Sequence, residues 1–310
     1  MEKILHTEIE ALLKWKKKTS LNLEFGDFSC EPSEEIVDSL KKLAGKRKSV
    51  LGVDIFRYSK MEPHRQLLVP FVLNRLLQGC SGLLNGAKYL FQKNKMEEIA
   101  DLRIDTGDGF FLIFETPLHA VLFSTTFEAL VRFYNSFSFL PEARAIVGPL
   151  DYRISLTTDL VNLIEFQGER KNWYGKGIIN CARILSRDKL NRFLMDRNTF
   201  EWFMVNMKGV ENVPLVDLNQ LKCLPDFLEY DERLIDSENA IIGTENGATR
   251  EYGIKGIDAL KLFETQEKED RLELYCVQVK AAIRIHSASD SKSRLVYVTV
   301  GNLNTEGITF

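Results

Sequence analysis

Two aspartates stand where a carboxylate needs a partner. Asp54 sits near the end of a short, nearly continuous apolar run, VLGVDIF (50–56). An unpaired charge buried in such a strand is costly. Asp108 sits in DTGDGFF, at the turn of a hairpin-like stretch, where Gly107 and Gly109 let the backbone turn tightly and approach a triphosphate closely. Two carboxylates from neighbouring strands supply half of a site for Mg²⁺ or Mn²⁺, the cations held together with phosphate oxygens in phosphoryl-transfer enzymes. The same residues read equally as a structural strand-end Asp and an ordinary Asp-Gly turn. A third segment shifts that balance. NWYGKGIINCARIL (172–185) is a polar, Gly-containing loop running into a helix. Asn180 and Arg183, three apart, share a helix face there, and an arginine so placed neutralises charge on a transferring phosphoryl group.

The rest of the composition narrows the chemistry. The chain has 310 residues, 45% apolar and 27% charged, room for one large globular domain or two modest ones. Its 41 Lys plus Arg against 44 Asp plus Glu give a net charge of -3, which argues against binding duplex nucleic acid by bulk charge. The four histidines (His6, His64, His119, His286) do not pair at metal-ligand spacing, so catalysis must rest on carboxylates. Cys30, Cys80, Cys181, Cys223 and Cys276 show no CxxC spacing and read as reduced thiols of a cytoplasmic protein. No apolar run approaches the ~18 residues of a membrane span.

The elements that must position these residues follow from periodicity. Residues 1–47 read as an N-terminal helical arm, with Ile4, Leu5, Ile9, Leu12 and Leu13 at helical spacing. After the strand at 50–56 comes a long helical stretch (63–93), then a β-hairpin over 101–115. Helical 119–137, strand-like 151–161, helical 177–194 and strand-like TFEWFMV (199–205) follow. The order β-α-β-β-α-β-α-β predicts one mixed sheet with helices on a face. Residues 206–245 read as an insertion. REYGIKGIDALKLFETQ (250–266) reads as a hairpin about Lys255-Gly256, and the last segment holds two more strands.

The ordered pieces D-I-x-x-Y-S, T-G-D-G-F, R-I-S-L, Y-G-x-G-I-I-N-x-A-R-I and I-K-G-I resemble the class III nucleotidyl cyclase catalytic domain. The resemblance covers about residues 48–266, leaving 1–47 as an arm and 267–310 as a C-terminal β extension. It implies an α+β, ferredoxin-like core and a head-to-tail homodimer whose two active sites are composite. It implies two divalent cations (Mn²⁺ or Mg²⁺) held by Asp54, Asp108 and the Ile55 carbonyl. Arg183, from the partner subunit, becomes the transition-state arginine, with Asn180 as the catalytic amide. Phe56, Gly107 and Asn172 fall on the substrate side. The implied reaction closes a ribonucleoside triphosphate into its 3′,5′-cyclic monophosphate with loss of pyrophosphate.

Two departures qualify this expectation. The position that reads the purine in adenylate and guanylate cyclases holds Ile104, and its companion holds Asn172, which offers both a donor and an acceptor. With Tyr58 in D-I-x-x-Y-S, this is similar to the Pycsar pyrimidine cyclases of antiphage defence, whose cyclic product acts on a separate effector protein. Tyr58 is then a base contact and Arg103 a donor to ring carbonyls, which favours UTP over CTP. Lys255, in the stretch that matches the family's late hairpin, is then a phosphate contact; Tyr58 as a core aromatic, Arg103 as a surface arginine and Lys255 as an exposed lysine are the bland alternatives. Aligned without a gap, the slot of the catalytic Asn falls on Ile179. Either the loop absorbs one residue and Asn180 serves, or the enzyme works without that amide. An adenylate or guanylate cyclase in signalling and a catalytically inactive cyclase-fold dimerisation or sensor module stay open beside the pyrimidine cyclase.

Overall fold

The computed structural model describes residues 21–23, 46–84, 99, 101–166, 170–188, 192–210, 253–267, 270–286 and 293–303. The helices expected in the arm and the insertion expected over 206–245 lie almost wholly outside the described residues. In chain order the elements are β1 (Leu21–Leu23), β2 (Lys46–Ile55), α1 (Pro63–Leu84), β3 (Arg103–Asp105), β4 (Gly109–Phe114), α2 (Pro117–Asn135), α3 (Pro141–Val147), β5 (Tyr152–Phe166), β6 (Arg170–Tyr174), α4 (Lys176–Arg187), β7 (Phe193–Asp196), α5 (Arg197–Val210), β8 (Gly253–Glu267), β9 (Asp270–His286) and β10 (Ser293–Val300).

The main path through the sheet runs β10-β9-β7-β5-β2-β4-β3. The stretch β5-β2-β4-β3 is antiparallel throughout and is built by a β-α-β-β-α-β sequence, the ferredoxin-like arrangement. β7 joins β5 in parallel, so the whole sheet is mixed. The expected α+β architecture is therefore present. Residues 270–300 contribute β9, paired to β7, and β10, paired to β9.

Strand alternation sends successive residues to opposite faces. In β2 and β4, Leu51, Val53, Ile55, Phe110, Leu112 and Phe114 join the large core with α1 and α2. Val50, Phe111 and Ile113 face the other way and pack with Cys181 and Leu185 of α4. Both faces are covered, which explains why these strands read as continuous apolar runs. On that same alternation Asp54 falls on the α4 side.

Three local expectations are corrected. TFEWFMV is part of helix α5, not a strand: Asp196 accepts from the backbone N–H of Thr199 at 3.0 Å, an N-cap that starts a helix there. The helix expected over 177–194 stops at Arg187, and Phe193–Asp196 is strand β7. The hairpin expected about Lys255-Gly256 is a bulge inside one long strand, β8, whose register to β9 shifts between Ile254 and Gly256. In addition, α1 is long and apolar enough to cross a membrane by length and composition, contrary to the expectation for the chain. Just over half of that stretch, 56%, is buried in the molecule, the packing of a core helix.

Asp196 carries a pH dependence. Burial pushes its carboxyl up from 3.8 to about 6, against the opposing hydrogen bonds of Thr199 and Thr158. An acid that holds its proton more tightly when folded contributes stability that is complete below about pH 4 and lost as pH rises through about 6. Asp196→Asn should therefore gain stability over the parent at pH 7.5 but not at pH 4, by about 3 kcal/mol at most. Urea unfolding of both proteins at the two pH values measures the difference.

Candidate active site

β2 and β4 bring the two aspartates together. Asp54 lies opposite Gly109 in the ladder, and the N–H of Ile55 donates to the Asp108 carbonyl at 2.9 Å. The turn between β3 and β4 is closed by Thr106 N–H on the Gly109 carbonyl, 3.1 Å, with Gly107 at φ 91. Asp54 is 8% exposed. Burial pushes its carboxyl up to about 6; the guanidinium of Arg153 opposes that rise and the carboxylate of Asp108 adds to it.

Nothing in the sequence singles out Arg153, although it stands in the R-I-S-L piece. It lies opposite Asp54 in the β2–β5 ladder. Its Nε donates to Asp54 Oδ2 at 2.8 Å, its Nη2 ion-pairs with the same oxygen, and its Nη1 donates to the Asp188 carbonyl at 2.9 Å. Asp188, just past α4, is clamped in turn by Arg192: Nε to Oδ1 and backbone N–H to Oδ2, both 2.9 Å, with both side chains fully buried. Removing one partner of such a pair leaves a buried charge uncompensated. Arg192→Met should cost about 3–5 kcal/mol in urea unfolding, and wild-type stability would show the clamp to be dispensable.

α4 runs along β2 towards this cluster. Gly177 packs near Val50 and Val161, Cys181 donates to the Val50 carbonyl at 3.3 Å, and Asp188 reaches Arg153. The helix turns Asn180 inward, 2% exposed. Its Nδ2 donates to Asp159 Oδ2 at 3.4 Å, and its Oδ1 has no hydrogen-bond partner among the described residues. Ile179 is 53% exposed, and Arg183, four residues on, lies half-buried on the same face. Asp159 pairs with Lys48 and Arg153 with Asp54. Within one chain the Asn180 amide and the carboxylate pair are thus about six residues, roughly 20 Å, apart along β2.

The other predicted residues each have local partners. Tyr58 and Gln66 form a reciprocal clamp, Tyr58 Oη donating to the Gln66 carbonyl and Gln66 Nε2 to the Tyr58 carbonyl, both 3.2 Å. Half-buried Phe56 lies under the Arg57 guanidinium, 5.0 Å from the ring centroid. Arg103 donates to Asn74 Oδ1 at 3.1 Å, ion-pairs with Asp105 and lies over Phe110. Ile104 packs against the Val50–Phe111 cluster. Asn172 Oδ1 accepts from Trp173 N–H at 2.9 Å and its Nδ2 donates to Tyr174 Oη at 3.3 Å. Trp173 Nε1 donates to the Asp101 carbonyl at 2.6 Å, which ties the segment of Asn172 to that of Arg103 and Ile104. Lys255 is exposed. Gln66 and Trp173, like Arg153, escaped the sequence reading because their partners are backbone carbonyls or residues far along the chain.

The donor set suits a hard divalent cation. A buried carboxylate raised by burial and by a second carboxylate is short of positive charge, which Arg153 supplies in part. Among the described residues no group of three or more His, Cys, Asp and Glu side chains converges, so oxygen from a bound phosphate would have to complete the shell. A cavity of about 300 Å³, lined by Glu128, Arg132, Asp151, Tyr152, Ile154 and Asn302 among others, opens on the opposite face of β5, since Tyr152 and Ile154 flank Arg153 and point away from it.

No family model and no curated protein matches the chain. Among solved structures it is similar to the guanylyl cyclase Cya2, with 14% identity over 76% of this chain and 93% of that one, TM-score 0.41. It is also similar to an adenylate cyclase of Trypanosoma brucei in its monomeric state, with 13% identity over 74% and 87%, TM-score 0.40. A third likeness is to the guanylate cyclase domain of RhGC from Catenaria anguillulae in complex with GTP, with 12% identity over 75% and 96%, TM-score 0.41.

Proposed function

We propose that the chain is a nucleotidyl cyclase that converts a pyrimidine ribonucleoside triphosphate, UTP before CTP, into its 3′,5′-cyclic monophosphate and pyrophosphate. The observation that carries this reading is the Asp54–Asp108 pair, set at a strand end and an adjacent glycine turn in a ferredoxin-like core. Divalent cations, when bound, supply the charge that makes a ribose hydroxyl a competent nucleophile and pyrophosphate a competent leaving group. Asp54, Asp108 and the Ile55 carbonyl would hold them. Attack of the 3′-oxygen on the α-phosphorus forms one P–O bond and breaks that to pyrophosphate, and the hydroxyl proton passes to solvent. Arg183 from a second copy would sit against the charge that develops on phosphorus. The distance between the Asn180 end of α4 and the carboxylates within one chain supports a head-to-tail homodimer with composite sites.

Ile104, packed into an apolar cluster, has no hydrogen bond to offer a purine, and Asn172 offers a donor and an acceptor that suit several base edges. The preference for UTP rests on arginine donors to ring carbonyls, and Arg103 would have to leave Asn74 and Asp105 to serve. By resemblance to the Pycsar enzymes, the product would be a cytoplasmic second messenger in antiphage defence, acting on a separate effector.

One observation favours a second reading. α4 presents Ile179 outward and buries the Asn180 amide, as a catalytically inactive cyclase-fold module could. Incubating the protein with Mn²⁺ and each of the four triphosphates, and identifying products by mass spectrometry, separates the readings. Cyclic UMP or CMP supports the proposal, cyclic AMP or GMP replaces its specificity, and no product with any triphosphate favours the inactive module.

A further inference from the structure

The carboxylate pair carries its own counter-ion. Two donors of one guanidinium converge on Asp54 Oδ2, and the third side of the same group is fixed on the Asp188 carbonyl. That carbonyl does not drift, because Asp188 is itself clamped by a fully buried Arg192. Arg153 is therefore held at both ends, with its side chain 24% exposed against 11% for Asp54. A planar guanidinium so placed gives up its carboxylate less readily than a flexible lysine would.

We propose that Arg153 is the resident counter-ion of Asp54 and sets the affinity of the site for a divalent cation. The inference rests on the reading of Asp54 and Asp108 as cation ligands. A carboxylate offers about four lone-pair directions over its two oxygens, and Arg153 takes those of Oδ2 that face it. A cation entering between Asp54 and Asp108 must either share Asp54 through Oδ1, with a positive guanidinium a few ångströms away, or displace Arg153 from Oδ2. Both routes weaken binding relative to the same carboxylates without the arginine, because a neighbouring like charge disfavours the incoming ion. The compensation is that the empty pair is not left as two uncompensated charges at a buried strand end. Arg153 thus trades cation affinity for a stable site, and it makes occupancy depend on the extra oxygens a triphosphate brings. When the guanidinium is displaced, its bond to Asp188 leaves it tethered beside the pair, at the end of the helix that carries Arg183.

Mn²⁺ binding to the full chain without nucleotide, followed by the loss of the free-ion paramagnetic resonance signal, tests this without reference to turnover. Arg153→Gln should bind Mn²⁺ at least about tenfold more tightly than wild type, since a nearby unit charge is removed. Arg153→Lys, which keeps the charge but loses the fork, should fall between them. Asp54→Asn should lose the site. Affinity for Mn²⁺ unchanged or weaker in Arg153→Gln, while Asp54→Asn abolishes binding, overturns the role of Arg153 and leaves the cation site standing. Binding by Asp54→Asn equal to wild type, or no saturable binding by wild type, overturns the reading of the carboxylate pair and the proposal with it. Should Arg153→Gln fail to fold by circular dichroism, Arg153→Lys decides alone: about threefold tighter binding supports the proposal and wild-type affinity overturns it.

Discussion

Asp54→Asn and Asp108→Asn should each lower triphosphate turnover by about 100-fold or more, as losing several kcal/mol of charge stabilisation requires, while both proteins stay folded. Asp54 is 8% exposed, and its carboxyl is pushed up to about 6 chiefly by burial. At neutral pH the folded chain therefore spends free energy to keep that group charged. An amide of the same shape keeps an oxygen for Arg153 and removes the charge, so Asp54→Asn should melt no lower than wild type at pH 7.5. The double variant should be no less active than the worse single one, because residues that act as a unit are not additive. Product formation by chromatography and melting by circular dichroism read activity and stability separately. Full turnover in either single variant would dissociate the pair from the chemistry.

The parts of the fold that were legible in the sequence are those with local causes. The apolar run 50–56 and the Asp-Gly turn at 108–109 each specify their own strand and turn, and β2, β3 and β4 occupy the expected places. TFEWFMV misled because five of its seven residues are large and apolar, with Glu201 alone interrupting them. Its helical character lies in the Asp196 cap and in which residues are buried: Phe203 is 2% exposed, while Met204 and Val205 are 60% and 82% exposed. A strand buried on both faces and a helix with an exposed apolar side look alike until the partner is known. Lys255-Gly256 misled in the opposite direction, since a glycine in a strand marks a bulge as readily as a turn.

The site was legible as a list of residues and not as a circuit. Asp54 and Arg153 meet because β2 and β5 pair in one register, across 99 positions of sequence. Registers of that kind are set by hydrophobic pattern over the whole sheet, and no local window contains them. The Ile179 and Asn180 alternatives illustrate the same limit. A one-residue step rotates a side chain by about 100°, and only the packing of α4 on β2 and β5 determines which of the two faces outward. The helix resolves it by burying Asn180 against Asp159, which leaves Ile179 and Arg183 on the accessible face.

Gly109→Ala should damage both stability and turnover more than any other single-methyl change near the site. A Cβ on Gly109 would lie 2.0 Å from the Val53 carbonyl oxygen and 2.9 Å from the Asp54 Cα. These are backbone atoms of the paired strand, so no side-chain rotation relieves the contact. Either β4 moves away from β2 or Asp54 is pushed out of line, and the Ile55–Asp108 and Thr106–Gly109 hydrogen bonds couple the two outcomes. Overpacking of this kind costs about 1–3 kcal/mol or more, and the displaced residue is the one whose position the chemistry depends on, where a shift of about 1 Å costs about 100-fold in rate. Gly107→Ala is the control. Its φ of 91 strains any L-residue, but nothing lies within 4 Å of the added carbon, so its cost is backbone strain of about 1–2 kcal/mol with Asp54 undisturbed. Urea unfolding should place both variants below wild type, and turnover at a temperature where both are folded should fall much more steeply for Gly109→Ala than for Gly107→Ala. Equal losses in the two would mean that turn flexibility, not the close approach of β4 to Asp54, is what the glycines provide.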